Sequence, residues 1–175
     1  GQSLTMEDNF TSTGGQLSAD NLSTLILSGS IAHTSPLAFT PTGNILQNLT
    51  VNKSNAGTSV TINSAVSITS TLTLTDGELS IVASNLALNN GATISRASQA
   101  SVTGSAPSGG PWHLIYTTGS LTTGLEIPAS GNLSSFTVDS NNSAVITLSQ
   151  SISVSGVTTI SQAGRTLSAG TRSIT

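Results

Sequence analysis

The feature that most constrains this chain is a two-residue alternation that restarts every six or seven residues. Val60-Thr61-Ile62, Val66-Ser67-Ile68, Leu72-Thr73-Leu74, Leu79-Ser80-Ile81 and Leu86-Ala87-Leu88 are apolar-x-apolar triplets, and Ala92-Thr93-Ile94 follows them. Period two marks a β-strand with one apolar face. The residue between is often Ser or Thr, and Thr suits an exposed strand position because it is β-branched. No window carries a 3.6-residue stripe, so essentially no helix is expected. Antiparallel sandwiches repeat more slowly, at roughly 8–12 residues with hairpin signals. Here the hairpin pairs Asp76-Gly77 and Asn90-Gly91 are few.

Such short strands and corners predict an all-β fold, a right-handed parallel β-solenoid with about three short strands per ~20-residue coil. One coil cannot bury its inner face alone. Stacked coils share an aliphatic core and satisfy the backbone in parallel ladders, about 4.8 Å apart. The alternation assigns Leu49, Val51, Val60, Ile62, Val66, Ile68, Leu72, Leu74, Leu79, Ile81, Phe136, Val138, Ile146, Leu148, Ile152 and Val154 to that core. The competing architecture is a pair of β-sandwiches, which would show antiparallel hairpins.

A longer repeat overlies the short one. Asn48-Leu49-Thr50-Val51-Asn52 corresponds to Ser135-Phe136-Thr137-Val138-Asp139, Val60-Thr61-Ile62 to Ile146-Thr147-Leu148, and Val66-Ser67-Ile68 to Ile152-Ser153-Val154. Leu74 corresponds to Ile160, Pro41 to Pro128 and Gly43-Asn44 to Gly131-Asn132. The offset of 86 to 88 residues is about four coils. The expected organisation is one solenoid domain over 1–175, with units at approximately 41–127 and 128–175, the second incomplete. No polar capping repeat is visible at the end, so either a longer chain continues the rod or subunits associate end to end.

Composition then excludes several classes. Charged residues are 6% of the chain, against roughly 25% in an ordinary domain. Four cations, Lys53, Arg96, Arg165 and Arg172, cannot form the basic stripe of a nucleic-acid binder. There is no Cys for thiol chemistry or a zinc finger, and no apolar run approaches the ~18 residues of a membrane span. The chain holds 59 Ser and Thr among 175 residues, as some disordered tails do, but Val, Ile and Leu recur throughout and supply a core.

The words of this sequence resemble a recurring unit of large secreted surface proteins of Bacteroidota. The resemblance lies in Asn48-Leu49-Thr50-Val51-Asn52-Lys53-Ser54, Val60-Thr61-Ile62, Val66-Ser67-Ile68, Thr71-Leu72-Thr73-Leu74-Thr75-Asp76-Gly77 and Asn90-Gly91-Ala92-Thr93-Ile94-Ser95-Arg96. Tyr116-Thr117-Thr118-Gly119, Thr123-Gly124-Leu125-Glu126-Ile127-Pro128 and Phe136-Thr137-Val138 are similar to its next portion. Together they cover roughly residues 20 to 175. The resemblance implies an extracellular β-solenoid adhesin or filament, in many cases exported by the type IX system, with no catalytic residues to carry over. It implies location at the bacterial cell surface.

Little in the sequence suggests chemistry. The acids are Glu7, Asp8, Asp20, Asp76, Glu78, Glu126 and Asp139. Asp76-Gly77 reads as a turn. Glu126, between Leu125 and Ile127, is expected to point away from the core, and Asp139 precedes an Asn141-Asn142 corner. No carboxylate has a partner at solenoid spacing, so a polysaccharide-cleaving enzyme is not expected, nor a metal or cofactor. His33 and His113 read as isolated surface histidines. Lys53, a candidate for an isopeptide crosslink, reads instead as a surface lysine. Six Asn-x-Ser/Thr sequons, at Asn9, Asn21, Asn48, Asn52, Asn132 and Asn141, match what such a composition yields by chance.

Two features offer ligand contacts. In Trp112-His113-Leu114-Ile115-Tyr116 the residues Trp112 and Tyr116 share a strand face. Exposed, they would stack on a sugar; buried, they would plug a wider coil. The threonines Thr61, Thr69, Thr71, Thr73 and Thr75 suggest an outward hydroxyl array of the kind that orders water and binds ice, which Ser80, Ala87 and Ser153 interrupt. The expectation is a stiff extracellular stalk or filament segment of a bacterial surface protein. A glycan-binding or, less favoured, ice-binding module is the alternative.

Overall fold

A computed structural model describes residues 1–55, 57–140, 143–161 and 163–175. Every strand pair described is parallel and no described residue is helical, so the chain is an all-β parallel solenoid. The Asn141-Asn142 corner and the Asn141 sequon lie outside the described residues.

Three sides alternate along the chain. The first side is a ladder of eight strands. Ser3–Glu7 and Thr24–Gly29 begin it, parts of Phe39–Lys53 and Val66–Ile81 continue it, and Thr93–Ala97, His113–Thr118, Ser135–Val138 and Thr158–Ile160 complete it. Ser3, Thr24, Asn48, Thr71, Thr93, His113 and Ser135 stand in one column, so successive turns use 21, 24, 23, 22, 20 and 22 residues. The second side carries Ser59–Ile62, the end of Val66–Ile81 and Ala100–Gly104. A separate ladder of Leu121–Thr122, Val145–Thr147 and Thr166–Ser168 follows in the later turns. The third side starts with Leu17–Ala19, runs through Leu86–Leu88 to Ser108–Gly109, and resumes with Asn132–Leu133 and Ser153–Val154.

Corners and strands are less distinct than the triplets suggest. Val66–Ile81 is continuous across all three sides, with the turn at Asp76-Gly77 absorbed into it. Gly77 has φ +85°, and a Cβ there would lie 2.7 Å from Lys53 Cβ, so this corner needs glycine both for conformation and for room.

Alternation decides which side chains face in. Leu25, Leu49, Leu72, Ile94, Leu114 and Phe136 form one inward column of the first side, all buried. Burying such a side chain contributes about 1.5–3 kcal/mol, and the turns join in one continuous hydrophobic cluster. Of the expected core residues all are buried except Val154, which is half-buried near the last turn. The long repeat also has a structural basis. Asn48, Thr71, Thr93, His113 and Ser135 are successive members of one column, so an offset of 87 residues is four turns.

Candidate functional site

The second inward column of the first side reads Leu27, Val51, Leu74, Arg96, Tyr116 and Val138. Arg96 therefore occupies a position that is aliphatic in the turns before it. A buried guanidinium needs a partner, and a segment between the second and third sides supplies one. Residues 123–131 separate the short strands Leu121–Thr122 and Asn132–Leu133. At this place the second-side ladder stops after Ala100–Gly104 and the third-side ladder after Ser108–Gly109, while the first side runs on unbroken.

This non-strand segment turns Glu126 into the interior, where it is fully buried. Glu126 Oε1 pairs with Arg96 Nη1 and accepts hydrogen bonds from the Tyr116 hydroxyl at 2.6 Å and the Gly124 N–H at 2.9 Å. Arg96 Nε donates to the Ala100 carbonyl at 2.8 Å, and Trp112 Nε1 donates to the Glu126 carbonyl at 3.1 Å. Burial, then the charge of Glu126 and its hydrogen bond, raise the Tyr116 phenol well above its usual pKa. Tyr116 meets Phe136 edge-on, with ring centroids 5.6 Å apart.

The expectation for Glu126 is thus corrected. The alternation of Leu125-Glu126-Ile127 does not apply because the segment is not a strand: Leu125 is exposed, whereas Glu126 and Ile127 are both buried. Trp112 and Tyr116, the suggested glycan contacts, are 0% exposed. They pack in the interior of the rod, and neither offers a ring to a sugar in this structure. Arg96 was not singled out by sequence reasoning. The signal was available, because Arg96 follows Ile94 by two and so has the inward phase of its strand.

Lys53 is likewise corrected from a surface residue to a fully buried one. It shares the phase of Leu49 and Val51, and its neighbour in the preceding turn is Gly29. Its ammonium donates to the carbonyls of Asp8 at 2.8 Å and Ser28 at 2.6 Å, tying together three turns. Burial lowers its pKa, and the Asp8 carboxylate opposes that shift. His33 is half-buried beside Phe10, with ring centroids 6.2 Å apart. Neither ring nitrogen has a partner among the described residues. Burial, then the Lys53 charge, lower its pKa. His113 stands on the outward face, its Nδ1 2.7 Å from Ser135 Oγ.

The other candidates do not converge. Asp76 accepts the Gly77 N–H at 2.7 Å within its corner, and Glu78 accepts from Thr103 Oγ1 at 2.8 Å. Asp139 lies 3.6 Å from Arg165 and is largely exposed. Among the described residues no three His, Asp or Glu gather closely enough to hold a metal, and no helix is long and apolar enough to cross a membrane.

Register also rearranges the hydroxyl array. Thr61 and Ser80 pair on the second side, and Ala87 and Ser153 belong to the third. None of the three interrupting residues is on the first side. There the outward positions form two long columns, flanked in the early turns by a short row of Ser28, Asn52 and Asp76. One runs Thr24, Asn48, Thr71, Thr93, His113 and Ser135; the other runs Ile26, Thr50, Thr73, Ser95, Ile115, Thr137 and Thr159. Comparison with protein-family models, with curated proteins and with solved structures finds no match to this chain.

Proposed function

We propose that the chain is a stiff structural module of an extracellular bacterial surface protein, a stalk or filament-forming segment of an adhesin. The resemblance to Bacteroidota surface proteins, with export by the type IX route, belongs to the same proposal. One observation carries it. The first side is an unbroken ladder of eight parallel strands backed by columns of buried side chains, while the described acids and histidines form no convergent site. Hydrogen bonds aligned with the rod axis and one continuous hydrophobic cluster resist bending. Function then lies in length and stiffness, not in a pocket.

Self-association has a physical basis in the same geometry. A parallel edge strand offers unpaired backbone groups, and Leu4 and Leu22 in the first turns and Val157, Ile160 and Ile174 in the last are exposed. A further turn, from a longer chain or from a second copy, would cover them. A head-to-tail contact of this kind propagates into an open filament.

Electron microscopy with sedimentation at micromolar concentration tests this. Fibres with a regular axial repeat are the expected result for a filament subunit. Dispersed rods whose mass does not change with concentration would remove the filament role and leave that of a spacer. A compact particle with selective affinity for a soluble glycan would overturn the structural reading altogether.

A further inference from the structure

We propose that the outward face of the first side is an ice-binding surface. Hydroxyl side chains stand at i and i+2 on two neighbouring turns, Thr71 with Thr73 and Thr93 with Ser95, and again as Ser135 with Thr137 beyond the turn of His113 and Ile115. Along the axis the strands of such a ladder lie about 4.8 Å apart, and across it two residues span about 6.6 Å. The result is a two-dimensional grid of oxygens. The oxygen lattice of ordinary ice repeats at spacings of the same order in two directions, so neighbouring rows can hold water in a common array.

Three further observations favour water as the occupant. First, the hydroxyls of Thr50, Thr73, Thr93, Ser95 and Thr137 make no side-chain hydrogen bond among the described residues, so their bonding capacity is left to solvent. Second, the two columns contain no Asp, Glu, Lys or Arg between Thr24 and Thr159, and the one carboxylate in register on this side over that span, Asp76, stands in the flanking row beside Asn52. Third, the threonines are fixed at both levels. Their backbone belongs to the unbroken ladder, and β-branching restricts χ1. A saccharide would look for an exposed Trp, Tyr or Phe to stack on, and these columns have none. A protein partner would look for a contiguous apolar patch, whereas Ile26 and Ile115 stand apart.

His113 and Ile115 divide the grid into two blocks. The expected activity is therefore inhibition of ice recrystallisation rather than a large depression of the freezing point. The inference stands independently of the stalk reading, because it needs only one rod.

The test compares the whole chain with Thr73→Tyr, Ser95→Tyr and Thr61→Tyr in a recrystallisation assay, with circular dichroism to confirm folding. Thr61 is the control, an outward residue on the second side. Inhibition by the parent chain, lost in whichever of the two first-side variants folds and kept by Thr61→Tyr, is the expected result. No inhibition beyond that of an inert protein at equal concentration would overturn the proposal. So would equal loss in all three variants, or a Thr73-dependent affinity for crystalline cellulose or chitin without any effect on ice.

Discussion

Two side chains in this rod, the half-buried His33 and the buried Tyr116, sit where the folded chain and water do not favour the same protonation state equally, and each leaves a pH signature. His33 packs against Phe10 with no partner for its ring nitrogens among the described residues, near the Lys53 ammonium. Its folded pKa lies below the usual 6.5, so the unfolded chain takes up the proton first. The contribution of neutral His33 is intact above 6.5 and is lost as pH falls through the lowered value. Tyr116 behaves in the opposite sense. Its pKa lies well above 10.0, so above that pH the unfolded chain releases a proton that the folded chain keeps. Stability then falls as the solution becomes more alkaline. Urea midpoints measured across pH check both signs: His33→Gln is expected to flatten the limb from roughly pH 7 to 5, and Tyr116→Phe the alkaline limb. Unchanged slopes would show that these groups titrate freely. At this scale the sequence was readable wherever alternation held, as with Leu72 and Leu74. It was misread at Lys53: a lysine is ordinarily exposed, yet this one has the inward phase of Val51, and two carbonyls from other turns receive its charge.

The element that departs from the regular coil is the segment 123–131. It enters the interior where two of the three ladders pause, and the Arg96–Glu126 pair fastens it there. Breaking such a pair leaves a buried charge uncompensated, which costs about 3–5 kcal/mol, whereas replacing both partners by apolar residues is far milder. Glu126→Ala should therefore lower stability by about 3–5 kcal/mol, and the double variant Arg96→Met/Glu126→Leu by less than the single one. Urea denaturation of the single and double variants decides it; additive losses would mean that the two groups do not act as a pair. The strands themselves were legible because every triplet repeats one rule. The segment 123–131 was not, since Leu125-Glu126-Ile127 imitates a strand, and only the surrounding turns show that it is none. Register was equally hidden. Turns of 20 to 24 residues vary enough that no fixed period could place Thr73 beside Ser95 and Ser80 on another side.

Across the whole molecule, the scarcity of charge acquires a spatial meaning. Lys53, Arg96 and Arg165 are buried, and only Arg172, in the last turn, is exposed. Trypsin should accordingly trim the folded chain after Arg172 and otherwise leave it whole, while the urea-unfolded chain is cut at all four sites. Mass spectrometry of a timed digest distinguishes the two, and early cleavage after Arg96 in native buffer would mean that the central turns open readily. The architecture as a whole was the most legible level, because a hydrophobic restart every six or seven residues leaves few alternatives to stacked turns. The unequal turns have one more effect. Axial rise is set by the spacing between strands, so a turn of 24 residues advances the rod no further than one of 20. Reach is counted in turns and girth in residues. Loops such as 123–131 can therefore be gained or lost without changing the distance between whatever the two ends hold apart.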